Sequence, residues 1–181
     1  MKTLPDYLAP GLDIVSVGLN PSVNAARAGF YFATPQNRFW RALNASGLPA
    51  APLEPGVAAM ETLFARDRIG FTDVVKRPTR SGSALRAADF RAEAPRLNEK
   101  LLGCAPRIVW FHGKVAWRQF LVHAGYAEAA GDWGEQGVRI GEARVFVSPN
   151  PSPANAQFSL AVITQAYREL ARLRETLTGT A

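Results

Sequence analysis

RIVWFHGKVAWRQFLVHA, residues 107–124, joins a short apolar run directly to a helical stripe. Arg107–Phe111 is a compact β-branched and aromatic segment, the pattern of a strand buried on both faces. After His112 and Gly113, residues Trp117, Phe120, Leu121 and Ala124 recur at helical spacing. A strand that feeds a helix within so few residues is the repeating unit of a layered α/β domain.

The same alternation extends outward. DIVSVGL, residues 13–19, reads as a strand ending in a Gly, Asn and Pro cluster. Asn37 is placed to cap a helix carrying Phe39, Trp40 and Leu43 on one face, with Gly47 past its end. A second helix is expected from Pro55, with Val57, Met60, Leu63 and Phe64 inward. Ile69–Val75 reads as a strand or extended edge. Phe90, Ala94, Leu97 and Leu101 keep helical spacing, but Pro95 among them predicts two short helices or a restart. Val138–Ile140 and Arg144–Val147 flank Gly141 and Glu142 as a hairpin would, and a closing helix groups Leu160, Ile163, Tyr167 and Leu170. Together these predict an α/β fold with a largely parallel sheet, in one domain spanning residues 1–181.

Composition narrows the classes. The chain has 181 residues, 48% apolar and 20% charged, which excludes disordered and collagenous proteins. Cys104 stands alone, so no internal disulfide and no four-thiolate metal site can form, and a reducing cytoplasmic setting is expected. Pro5, Asp6 and Pro10 interrupt the N-terminal apolar residues, so no signal peptide is expected there. Residues 145–167 are uncharged but broken by prolines and asparagines, and no membrane segment is expected. His112 and His123 provide no metal triad, and each is expected merely to end a strand or helix; neither metal nor cofactor is expected.

Lys and Arg number 21 against 15 acids, a net charge of +6. Seventeen of the cations are Arg, whose planar fork suits phosphate, although coding-sequence bias would give the same ratio. KRPTRSGSALR, residues 76–86, holds Lys76, Arg77, Arg80 and Arg86 with no acid. A polyanionic partner fits this charge pattern.

In open α/β sheets ligands bind beyond the carboxyl ends of the strands. Both the first and last strands end in Asn-Pro-Ser: Asn20-Pro21-Ser22, and Asn150-Pro151-Ser152 followed by Pro153, Ala154 and Asn155. Either loop alone reads equally as a set of turn formers. After the first comes GFYFATPQNRFW, residues 29–40, where Phe39 and Trp40 read as core while Phe30 and Phe32 precede the helix and stay open.

GLNPS, GFYFATPQNRFW, GFTDVVKRPT and SPNPS, in that order, resemble the mismatch-specific uracil-DNA glycosylase and thymine-DNA glycosylase family over most of the chain. The resemblance implies a three-layer α/β/α sandwich that flips a base from duplex DNA and hydrolyses its N-glycosidic bond. It implies that Asn20 holds the attacking water, that Phe32 stacks on the extruded base, and that backbone amides around Leu19 and Phe32 read the pyrimidine edge. Ser22 and Asn150 join the base site by the same resemblance. Ser152, Pro153, Ala154 and Asn155, with Lys76, Arg77 and Arg80, form the expected DNA-binding set.

The departures carry expectations of their own. An amide has no pKa suited to a general base, so Asn20 can only orient water. Asp73 stands where a member of the resembled family carries Lys; it supplies the missing base, or it is only a carboxylate at a strand end. Ala25 stands where the uracil-preferring branch has Ser, which predicts room for thymine or 5-modified uracils opposite guanine. Pro153 and Ala154 replace the Gly-Leu whose Leu fills the gap left by the flipped base. None of Lys2, Lys76, Lys100 and Lys114 suggests Schiff-base chemistry, so a monofunctional hydrolase is expected. The partner is double-stranded DNA with a mispaired uracil or modified pyrimidine, met by a monomer. The competing readings are a single-strand-preferring uracil-DNA glycosylase and a non-catalytic domain that binds mismatched or abasic DNA.

Overall fold

The computed structural model describes residues 2–128 and 130–179; of the expected span 1–181, Met1, Ala129, Thr180 and Ala181 lie outside the described residues. Five strands, β1 (Ile14–Gly18), β2 (Ile69–Asp73), β3 (Ile108–His112), β4 (Gly134–Glu135) and β5 (Arg144–Ser148), form one sheet in the order β2-β1-β3-β5-β4. All pairings are parallel except the antiparallel β4–β5 edge.

The alternation along each strand builds two cores. Ile14, Ile69, Phe71, Ile108, Trp110 and Phe146 face one side, where they meet α2 (Phe39–Ser46), α3 (Val57–Ala65) and α6 (Leu160–Thr178). Val15, Val17, Val109, Phe111, Val145 and Val147 face the other, against α4 (Ala87–Cys104) and α5 (Lys114–His123). Helices on both faces make the expected α/β/α sandwich and explain why its strands read as unbroken apolar runs. A short helix, α1 (Val23–Ala28), follows β1.

Four expectations need correction. α4 is continuous through Pro95. Proline there removes one hydrogen bond, at a cost of about 3 kcal/mol, but Pro95 and Arg91 lie on the solvent face while Phe90, Ala94, Leu97 and Leu101 pack inward, so the break falls on the side away from the core. α3 begins at Val57 rather than Pro55, and Val57 points outward; the buried stripe is Ala59, Met60 and Leu63. Phe64 is only half-buried, edge-on to Tyr7. The hairpin before β5 closes only at Ile140 and Ala143, and the strand that pairs with β5 is β4. The chain is drawn there because Gln136 N–H donates to Val145 O.

β2 lies at one edge of the sheet and is covered there by the N-terminal segment. Tyr7 and Phe71 exchange both backbone hydrogen bonds, at 2.9 and 3.1 Å. That approach requires Gly70, where a Cβ would sit 2.3 Å from Tyr7 O. Gly70→Ala is therefore expected to cost about 2 kcal/mol or more of stability, read from urea unfolding; an unchanged midpoint would refute this close packing.

Candidate active site

The carboxyl ends of β1, β2, β3 and β5 open onto one cavity of about 760 Å³. Leu19, Asn20, Ser22, Ala25, Phe32, Asp73, Arg80, Asn150, Ser152, Pro153, Ala154 and Asn155 all line it; Lys76 and Arg77 do not.

Asn20 follows β1 and is fixed by its amide. Its Nδ2 donates to Arg77 O at 2.9 Å and to Thr79 Oγ1 at 2.8 Å. Thr79 spends its own proton on Ser81 O at 2.8 Å, so both groups facing Asn20 are acceptors. Only the NH2 end satisfies them, which turns Oδ1 away from that anchor. Among the described residues nothing donates to Oδ1, leaving an acceptor in the cavity wall for a water.

Phe32 is half-buried, with its backbone in the left-handed region at φ 59°. A non-glycine there is uncommon and marks a conformation imposed by its surroundings. One face of its ring stacks on Phe39, centroids 4.1 Å apart and 16° off parallel. The backbone N–H groups of Leu19 and Phe32 donate to no other group among the described residues. Ser22 is occupied as the cap of α1, accepting from Ala25 N at 3.0 Å, and Ala25 is buried.

Asp73 ends β2 opposite Gly18 in the parallel register. A Cβ on Gly18 would lie 2.5 Å from Asp73 Oδ1, so glycine there makes room for the carboxylate. Asp73 is buried and its Oδ2 has no hydrogen-bond partner. Lys76 Nζ stands 3.8 Å away, but is closer to Asp6 at 2.8 Å and donates to Tyr31 Oη at 3.0 Å. Burial pushes the Asp73 carboxyl up to about 7; Lys76 opposes the shift and Asp6 reinforces it.

The same network reassigns the basic loop. The Lys76 ammonium is turned inward onto Asp6 and Tyr31, not out toward a phosphate. Arg77 lies on Asp89 at 2.8 Å. Arg80 is exposed, has no ion pair among the described residues, and also lines a smaller cavity with Arg27. A lysine that swings back to a remote aspartate leaves no trace in local composition; Asp6, Thr79 and Tyr31 were invisible for the same reason.

His112 does end a strand, and it also lines the cavity, its ring 5.0 Å from that of Phe32. Ser16 Oγ meets its Nε2 at 2.8 Å while Nδ1 has no partner. Burial pushes its pKa down to about 3, so the imidazole is neutral.

The loop after β5 is tied to Arg38, whose Nη2 donates to Ser152 O at 3.0 Å and Asn155 O at 2.7 Å and whose Nη1 donates to Phe158 O. Asn150 Oδ1 accepts from Ser152 N at 3.0 Å, and Asn155 Nδ2 donates back to Asn150 O at 2.9 Å. Asn155 therefore closes the loop. Pro153 and Ala154 are exposed at its tip.

A polar side chain whose oxygen accepts from no described group, a buried carboxylate and an aromatic ring braced on one face thus surround one cavity at the strand ends. The profile of the uracil DNA glycosylase superfamily covers residues 5–171. The chain belongs to this superfamily. In fold it is similar to the solution NMR structure of a Methanosarcina acetivorans protein provisionally described as a uracil DNA glycosylase, with 23% identity over 94% of this chain and 98% of that one and a TM-score of 0.56. Membership in the uracil DNA glycosylase superfamily makes this a hydrolytic DNA glycosylase, with DNA as its substrate.

The raised carboxyl of Asp73 carries a stability consequence. The folded state holds that proton more tightly than the unfolded chain, so the stabilisation is complete at low pH and lost as pH rises toward 7. The advantage of Asp73→Asn over the wild type is expected to grow by about 1.4 kcal/mol per pH unit between roughly pH 4 and 7, then level off. Denaturant unfolding across that range checks it; a pH-independent difference would mean an ordinary carboxylate.

Proposed function

We propose that this glycosylase is monofunctional, acts as a monomeric single domain on duplex DNA, and everts uracil mispaired with guanine to hydrolyse its N-glycosidic bond. The observation that carries this reading is the pinned carboxamide of Asn20, whose oxygen is free in the same cavity as the Phe32 ring and the Asp73 carboxylate.

The everted pyrimidine stacks on the free face of Phe32. The N–H groups of Leu19 and Phe32 donate to its carbonyl oxygens and hold the negative charge that grows on the ring as the bond to C1′ breaks. Water accepted by Asn20 Oδ1 supplies hydroxide to C1′. Its proton passes to Asp73, a base of suitable strength near neutral pH, and from there the departing base is protonated. An everted base costs least to extract where it is already mispaired. The small side chain of Ala25 leaves the pocket open to thymine or 5-modified uracils opposite guanine. Arg80, with Asn150 and the tip of the 150–155 loop, faces the DNA backbone.

A single-strand preference is the second reading. It is favoured by the loop after β5, where Asn155 is tied back and only Pro153 and Ala154 project, so nothing there fills the gap that a flipped base leaves in a duplex.

Duplexes carrying uracil, thymine or a 5-substituted uracil opposite guanine, scored for alkali-sensitive breaks under single turnover, test the proposal. Wild-type excision is expected to rise with pH through about 7. Asn20→Ala is expected to lose about 100-fold. Asp73→Asn should lose about 100-fold or more and its rising pH limb. Unchanged excision in Asp73→Asn would remove that residue from the chemistry, and faster release from single strands would establish the second reading.

Arg80→Ala tests the backbone contact. It should weaken DNA binding regardless of the base presented, and lower the slope of log affinity against log salt by about 1. An unchanged slope would place Arg80 off the DNA.

A further inference from the structure

The cavity has a second aromatic wall away from Phe32. Of the four tryptophans, Trp40, Trp110 and Trp117 are buried, whereas Trp133 is 36% exposed. Its loop is tightly held. Gln136, itself buried, donates from Nε2 to Asp132 O and to Gly134 O, the latter at 3.0 Å, and its Oε1 accepts from Gly131 N at 3.0 Å and Trp117 Nε1 at 3.2 Å. The Phe158 ring meets the indole at 5.3 Å and 79°, and Lys114 Nζ lies 4.5 Å from the Trp133 ring centroid. Among the described residues Lys114 has one loose ion pair, 3.7 Å to the exposed Asp132. Trp133, Lys114 and Phe158 line the same cavity as Asn20 and Phe32.

A large ring in contact with water, with an ammonium over one of its faces, has the chemistry of a nucleotide platform: its exposed part for a base and a cation for the adjoining phosphate. The cavity lies toward the upper end of the usual size range for ligand pockets, with room beyond a single base. Eversion also strips the neighbouring nucleotides of a stacking partner.

We infer that Trp133, backed by Lys114 and Phe158, forms a second nucleobase subsite that stacks the nucleotide adjoining the everted one. The inference rests on the cavity being the base-eversion site proposed above. Trp133 compensates one neighbour for the stacking lost on eversion, while the loop after β5 presents only Pro153 and Ala154.

Buried tryptophans fluoresce too, so the response of Trp133 is taken as the part of the binding-induced change that Trp133→Leu abolishes. The test titrates Asn20→Ala protein, which spares the substrate, with uracil-containing oligonucleotides whose 5′ or 3′ neighbour of the uridine is either a normal nucleotide or an abasic spacer. Binding is expected to quench the fluorescence. A spacer on one of the two sides should weaken affinity about ten-fold, and that penalty should shrink below about two-fold when Trp133→Ala or Trp133→Leu is added, as coupled partners require. Equal spacer penalties with and without Trp133, or a quench indifferent to both spacers, would overturn the subsite. Wild-type excision is measured in parallel. Excision with spacer-indifferent binding sinks the subsite alone, whereas spacer-sensitive quenching without excision sinks the proposed chemistry and leaves the stacking platform standing.

Discussion

The parallel pairing of β1 with β2 brings the buried carboxylate of Asp73 against the bare Cα of Gly18, and the arrangement of the site follows from that contact. A charge in such a position is expensive unless matched. Its nearest cation, Lys76, is shared with Asp6 and Tyr31, so the match is partial and the carboxyl binds its proton until near neutral pH. A group in this state can accept a proton and give it up again under ordinary conditions, which an exposed aspartate cannot do as well.

Around this carboxylate hydrogen bonds fix two of the loops. Asn20 is anchored through Thr79 and the Arg77 carbonyl, and the 150–155 loop is gathered by Arg38. Both anchors leave useful atoms free by exhausting the alternatives: the Asn20 oxygen faces outward because its NH2 group is fully used. Phe32 is placed similarly, braced by Phe39 on one face and held in a left-handed backbone conformation. Preorganisation of this kind lowers the cost of orienting water and base at the moment of reaction.

Much of this was legible in the sequence because it depends on local pattern. The apolar runs of β1, β2 and β3 announced strands buried on both faces, and the Asn-Pro-Ser loops at the ends of the first and last strands marked where the cavity opens. Asn20, Phe32 and Asp73 were singled out before the sheet register could show that they share a cavity. What was not legible depends on partners far along the chain. Lys76 looked like part of a phosphate-binding loop because composition cannot reveal that Asp6 lies beside it. Arg38 gives no local sign of its role because its acceptors are carbonyls of the last loop. Pro95 looked like a helix break, since the solvent exposure of its face is a property of packing. Trp133 lies in a segment whose conformation is dictated by one buried glutamine amide.

The most direct test is a crystal structure of the protein on a duplex carrying an uncleavable 2′-fluoro-deoxyuridine opposite guanine. The account predicts the uracil ring lying on Phe32, with a water held between Asn20 Oδ1 and the Asp73 carboxylate on the far side of C1′ from the base. A uracil still stacked in the duplex, or a base in the cavity with Asp73 sealed from any water near C1′, would contradict it.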